Sequence, residues 1–148
     1  MVKTVGVAEA RDTLSELVNR AAFSGERYVV ERRGKPLAAL ISSEEYHQLV
    51  DLLTEKGVRD EVHGMPVQLH LEGDHYVVSS DELDLYGVGH TPQEAREDYL
   101  IAARESYADL AAHAGRLSRH LEAHLARLRQ VFPADSTRDY HGDAGDEA

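Results

Sequence analysis

The sequence predicts an α+β protein made of two unlike parts. In the first, stretches with helical spacing of apolar residues alternate with short β-rich runs. In the second, a hairpin pattern leads into one long helical pattern. Charge divides the chain at the same place. Residues 1–57 hold eight Lys/Arg and nine Asp/Glu, a net of −1, whereas residues 58–148 hold eight Arg and eighteen Asp/Glu, a net of −10. An asymmetry of that size points to different partners for the two parts.

The elements follow in order. Residues 3–7, KTVGV, read as a short strand. In AEARDTLSELVNRAAF, Ala10, Leu14, Leu17, Val18 and Ala21 recur at spacings of three and four, so they share one helix face, and Ser24-Gly25 stops the helix. Two β-rich runs, Tyr28 to Glu31 and Leu37 to Ile41, flank Arg-Gly-Lys-Pro and predict a hairpin. Ser42 with Glu45 fits a capping box at the start of a second helix, whose apolar face is Tyr46, Leu49, Val50 and Leu53. The order is β-α-β-β-α over residues 1–57.

Residues 58–66 mix Gly, Pro and charge without periodicity and read as a linker. Val67, Leu69 and Leu71 then alternate with polar residues, and Gly73-Asp74 turns the chain into Tyr76-Val77-Val78, a second hairpin. Thr91-Pro92-Gln93-Glu94 is a helix start, with Thr91 at the N-cap and Glu94 reaching back. From there to Phe132 the pattern allows one helix of roughly 60 Å, with Gly115 as a candidate bend. Residues 67–132 thus form a hairpin plus a long C-terminal helix. Residues 133–148 read as a disordered acidic tail.

Composition narrows the function. With no Cys, disulfides and thiolate metal sites are excluded. The start carries no signal-peptide run and no apolar stretch approaches a membrane span, so a cytoplasmic protein without a membrane partner is expected. His120 and His124 stand one turn apart, but no carboxylate shares their face. Asp81, Glu82 and Asp84 cluster in a loop, which fits a solvated turn better than a Mg²⁺ site. No phosphate-binding Gly loop, nucleophile elbow or nucleophile–base pairing is present. No enzyme, no metal and no cofactor is expected.

The cationic turn is the unusual feature. Arg32, Arg33 and Lys35 crowd a hairpin tip in an acidic chain. Like charges there repel one another, so the cluster either keeps a turn soluble and discourages edge pairing or meets a polyanion. A unit this small, with no disulfide or metal, buries too little surface to be comfortable alone, which favours a symmetric partner. A dimer would set two copies of the cluster a fixed distance apart, as two-fold proteins do on two-fold DNA sites.

The stretch from Lys3 to Leu53 resembles the Phd/YefM family of antitoxins. The features that carry the resemblance are Glu9-Ala10-Arg11 opening the first helix, the Leu14-x-x-Leu17-Val18 face, Arg32 before a Gly-containing turn, and a strand running into Ser-x-Glu-Glu-Tyr. Ala8 departs from the family, which often has Ser or Thr before the Glu. The resemblance implies a dimeric DNA-binding module that represses its own operon, with Arg11 and Arg32 on the DNA. Arg33, Lys35 and Lys3 are added from charge and position. Five contacts per protomer would neutralise about ten phosphates in a dimer, giving a log–log salt slope near −9. Arg20 and Arg27 read as surface residues facing Glu16 and Glu26.

Residues 67 to about 105 have some resemblance to HicB-like small antitoxin domains: a strand, a Gly turn, a Tyr-Val-Val strand, and a Gly-x-Thr-x-x-Glu-Ala helix start. The third strand of such a domain would be Leu85 to Val88. Further along, Leu110, Leu117, Leu121, Leu125 and Leu128 with Phe132 form an apolar stripe. It fits a toxin-binding helix slightly ahead of a dimer coiled coil, with docking on its own domain as the plain alternative. The chain is therefore expected to be an antitoxin of a type II system, with operator DNA, a cognate protein toxin and a second copy of itself as partners. The alternatives are a stand-alone dimeric repressor and an acidic scaffold that does not touch DNA.

Overall fold

In the computed structural model, residues 2–133 are described; apart from Pro133, the expected acidic tail lies outside the described residues. The chain divides into two compact units, Met1–Leu52 and Leu53–Ala148, and the fold class is α+β.

In unit 1, β1 (Val2–Gly6) runs parallel to β2 (Arg27–Arg32), which pairs antiparallel with β3 (Lys35–Leu40). The two-residue turn between β2 and β3 needs a left-handed backbone at both positions, and Arg33 (φ 52°) and Gly34 (φ 75°) supply it. The crossover from β1 to β2 is two helices, α1 (Val7–Asp12) and α2 (Leu14–Ser24), where the sequence predicts one. Thr13 interrupts them. Its hydroxyl donates to the carbonyl of Glu9 at 2.7 Å, the back-bonding that bends helices. Gly25, left-handed at φ 66°, ends α2.

The core of unit 1 is small: Val5, Ala10, Leu17 and Tyr28, with Val30 and Leu40 half-buried against them. The last helix of the family-like stretch, α3 (Ser43–Glu55), is capped as predicted, the Glu45 N–H donating to Ser42 Oγ at 3.1 Å. Yet none of its residues is buried.

Unit 2 is a four-stranded antiparallel sheet in sequential order, β4 (Val58–Val62), β5 (Met65–Glu72), β6 (His75–Ser80) and β7 (Leu85–Gly89), backed by α4 (Pro92–Ala112). The strand foreseen at Leu85 to Val88 is β7. The predicted hairpin is thus the middle of a wider sheet, and the predicted linker at 58–66 is β4, a turn at His63-Gly64 and the start of β5. Val58, Asp60 and Val62 do alternate inward, but the central inward residue is a carboxylate, which hides the strand from hydropathy. Asp60 is held there by Arg96 of α4, Nε to Oδ2 2.7 Å.

Thr91 Oγ1 accepts from the Glu94 N–H at 3.1 Å, and the Glu94 carboxylate accepts from the His90 N–H at 2.8 Å, so the predicted start of α4 is present. α4 lies close on β7 because Gly87 and Gly89 leave room; a Cβ at Gly87 would fall on the backbone of Tyr99 and Ala95. The long helical pattern does not continue to Phe132. It stops at Ala112, passes through a 3₁₀ turn (Ala114–Arg116), and resumes as α5 (Arg119–Val131), N-capped by Ser118. The break lets α5 pack on α4. Met65, Val78, Tyr99 and Leu128 are the most deeply buried large side chains of this core.

Candidate nucleic-acid interface

The parallel register of β1 and β2 sets Gly6 beside Glu31, so α1 starts where β2 enters its turn. Arg32 and Lys35 are register partners across that turn, and Arg33 occupies it. All three are exposed, as is Arg11 in the last turn of α1, which touches only its neighbour Asp12 at 3.3 Å. An ion pair between adjacent exposed side chains is worth little and yields readily to a phosphate. Three cations of the predicted set therefore share the β2–β3 turn, with Arg11 exposed on the helix that follows β1. The register shift between Val30 and Glu31 marks a bulge just before the turn, a device that re-aims side chains at a strand end.

Lys3 is separated from this group. It pairs in register with Tyr28, four residues before Arg32, or about 13 Å along a strand. Its Nζ binds Glu26 at 3.0 Å. The Tyr28 hydroxyl also donates to Glu26, and these two bonds hold the Glu26 carboxyl below its ordinary range. Lys3 thus belongs to a bracket tying β1 to the start of β2. Arg20 pairs with Glu16 as expected, whereas Arg27 pairs with Glu45 of α3 at 2.6 Å rather than with Glu26.

The predicted partner-binding stripe is placed differently from expectation. Leu110, Leu125, Leu128 and Phe132 are buried in the core of unit 2 and Leu117 is half-buried against it; Leu121 stays on the surface. The sequence pattern records an amphipathic helix faithfully, but a helix that turns back on its neighbour has the same pattern as one awaiting a partner. Arg104 stacks over the Phe132 ring at 5.6 Å, and Arg127 approaches Glu82 at 3.8 Å, both tying α5 down. His120 and His124 lie ring to ring at 4.3 Å, and no group of three or more metal-ligating side chains forms among the described residues. No described helix is long and apolar enough to cross a membrane.

Two apolar surfaces are left exposed. In unit 1, Leu14 and Val18 of α2, Leu37 of β3, and Tyr46, Leu49 and Leu52 of α3 are all exposed. In unit 2, Tyr86 and Val88 stand out from β7 on the sheet face opposite α4, at 68% and 38% exposure. The sequence shows the first only as the apolar faces of two helices. It carries no signal for the second, because β7 is short and glycine-rich.

Comparison with known proteins finds a family likeness over part of the chain. The model of the family described as Antitoxin Phd_YefM, type II toxin-antitoxin system, matches residues 2–61. A solved structure of an antitoxin part of a toxin/antitoxin system from Syntrophomonas wolfei subsp. wolfei is 17% identical, covering 87% of this chain and 86% of that one. Its TM-score of 0.40 is too low for the likeness to bear on fold or function. No curated protein matches the chain.

Proposed function

We propose, from the match of residues 2–61 to the Phd/YefM antitoxin family model, that the chain is the antitoxin of a type II toxin–antitoxin system. It works in the cytoplasm as a dimer that binds its own operator through unit 1 and holds a cognate protein toxin through unit 2. The observation that carries the DNA half is the grouping of Arg32, Arg33 and Lys35 at the β2–β3 turn, all exposed, with Arg11 exposed on α1 and touching only Asp12. Guanidinium groups in such a cluster suit phosphate oxygens geometrically as well as electrostatically. The bare apolar residues of α3 and β3 support dimerisation: a unit that leaves a whole helix unburied gains by covering it with a copy of itself.

The acidic balance of residues 58–148 repels DNA and suits a basic protein, which supports assigning the toxin to unit 2. Toxin neutralisation is then steric, with operator occupancy tuned by how much toxin is bound. A salt titration of binding to the upstream DNA tests the DNA half. Four contacts per protomer, eight per dimer, give a log–log slope of about −7. A slope near zero, or no binding, removes DNA from the function and leaves the acidic scaffold.

A further inference from the structure

We propose that unit 2 receives its partner on the outer face of the four-stranded sheet, with Tyr86 as the central anchor, and that the partner is a protein presenting basic groups around an apolar centre. This rests on the antitoxin reading and adds to it the surface and the chemistry of what docks there.

Most of the other apolar surface of unit 2 is covered, with Ile101 of α4 and Leu121 of α5 left exposed. The inner face lies under α4, and most of the leucine stripe of α4 and α5 is inside the core. Both sheet edges are guarded by carboxylates. On β7, the Val88 N–H donates to Asp98 at 2.8 Å and the His90 N–H to Glu94 at 2.8 Å. On β4, the Glu61 N–H donates to Asp60 at 2.8 Å. Backbone groups satisfied in this way are closed to strand addition.

The outer face remains. Its register gives two rows across the strands: Arg59, Gln68, Ser79 and Tyr86, and beside it His70, Val77 and Val88. Val77, Tyr86 and Val88 are adjacent at the β7 side, so an exposed aromatic ring has apolar neighbours. That is the make-up of an interface centre, where Tyr supplies large area at low entropic cost. Carboxylates bracket it along the strands. Glu72 and Asp74 stand at the β5–β6 turn and Asp81 and Asp84 at the β6–β7 turn, all exposed, with Glu61 on β4; Arg59 is the cation of the face. His70 and His75 sit against Glu72 and Asp74. An apolar centre with a negative border complements a basic protein and repels a phosphate backbone.

The test uses the full chain and, as probe, the purified product of the open reading frame abutting its gene. Binding is measured for the wild type, Tyr86→Arg, Tyr86→Phe and Ile101→Arg, the last on the exposed side of α4. Thermal melting and operator binding check the fold of each variant. The expected result is a Kd raised by about a hundredfold or more in Tyr86→Arg and little changed in Tyr86→Phe and Ile101→Arg. Wild-type affinity in a folded Tyr86→Arg chain overturns the docking face while leaving the antitoxin reading intact. Loss in Ile101→Arg alone moves the partner to α4 and overturns it equally. Tyr86-dependent binding of single-stranded RNA instead of the protein overturns the partner chemistry. A wild-type chain that binds operator but ignores the probe sinks both this proposal and the toxin half of the function.

Discussion

Unit 1 and unit 2 solve the problem of a small fold in opposite ways. Unit 2 covers its sheet with its own helices and buries thirteen residues in one continuous cluster, Val62 through Phe132. Unit 1 has four residues in its cluster and leaves α3 unburied. The apolar residues exist in both; only their use differs. A core closed within the chain makes a domain stable alone, while one left open makes stability depend on a second copy. The difference teaches that unit 1, the unit proposed to face DNA, is the one expected to be incomplete, so that its cations would come in pairs only when its core does.

The largest expected effect sharpens the charge side of this contrast. Replacing Arg11 and Arg32 by Ala removes four phosphate contacts from a dimer. Operator affinity at 0.1 M salt is expected to fall roughly 10³-fold, and the salt slope to become shallower by about 3.6. A filter-binding or fluorescence titration across salt concentrations reads both numbers. Lys3→Ala, by contrast, is expected to leave the slope alone and to cost stability through the freed Glu26.

Next in size is an attack on the closed core. Leu128→Ala removes a fully buried side chain and is expected to cost about 3 kcal/mol of unit 2 stability, seen as a lowered melting transition with operator binding retained. If operator binding fell in step with that transition, the two units would not be separable.

Smaller effects probe the polar groups inside unit 2. Burial pushes Asp60 towards a higher pKa, but Arg96 and the Glu61 N–H outweigh it, so its carboxyl ionises below the ordinary value of 3.8. A depressed folded pKa contributes stability that is present above the ordinary value and lost as pH falls through the depressed one. Unit 2 is therefore expected to weaken as pH drops below about 4. In Asp60→Asn, expected to cost about 1 kcal/mol at neutral pH, that loss shrinks. Denaturant melts at pH 7 and pH 3 show whether it does. Smallest of all, the Tyr99 hydroxyl is buried without a hydrogen-bond partner among the described residues, so Tyr99→Phe is expected to be neutral or to add up to about 1 kcal/mol of stability.

Much of the fold was legible because local chemistry and global structure agree. The Arg33-Gly34 turn, the Ser42 and Thr91 caps and the Gly25 stop each carry a local physical reason, and each stands where the sequence puts it. Illegible features arise where a distant residue decides. β4 is hidden because Asp60 is tolerated inside only with Arg96 opposite it. Gly115, the candidate bend, does mark the interruption at Ala114–Arg116, but that the chain turns back so that α5 packs on α4 is a long-range outcome. Of the cationic set, Arg32, Arg33 and Lys35 stand together because they follow one turn, whereas Lys3 is paired with Glu26, which sequence separation conceals. The leucine stripe was read with the right periodicity but offered to the wrong occupant, since periodicity reports a covered face and not what covers it.

Sedimentation velocity of the full chain across nanomolar to micromolar concentration tests most directly whether unit 1 is completed by its own copy. The expected result is a dimer for the wild type and a folded monomer, weak on operator DNA, for Leu37→Lys with Leu49→Lys. A wild-type chain that stays monomeric at micromolar concentration with unit 1 fully folded would contradict it.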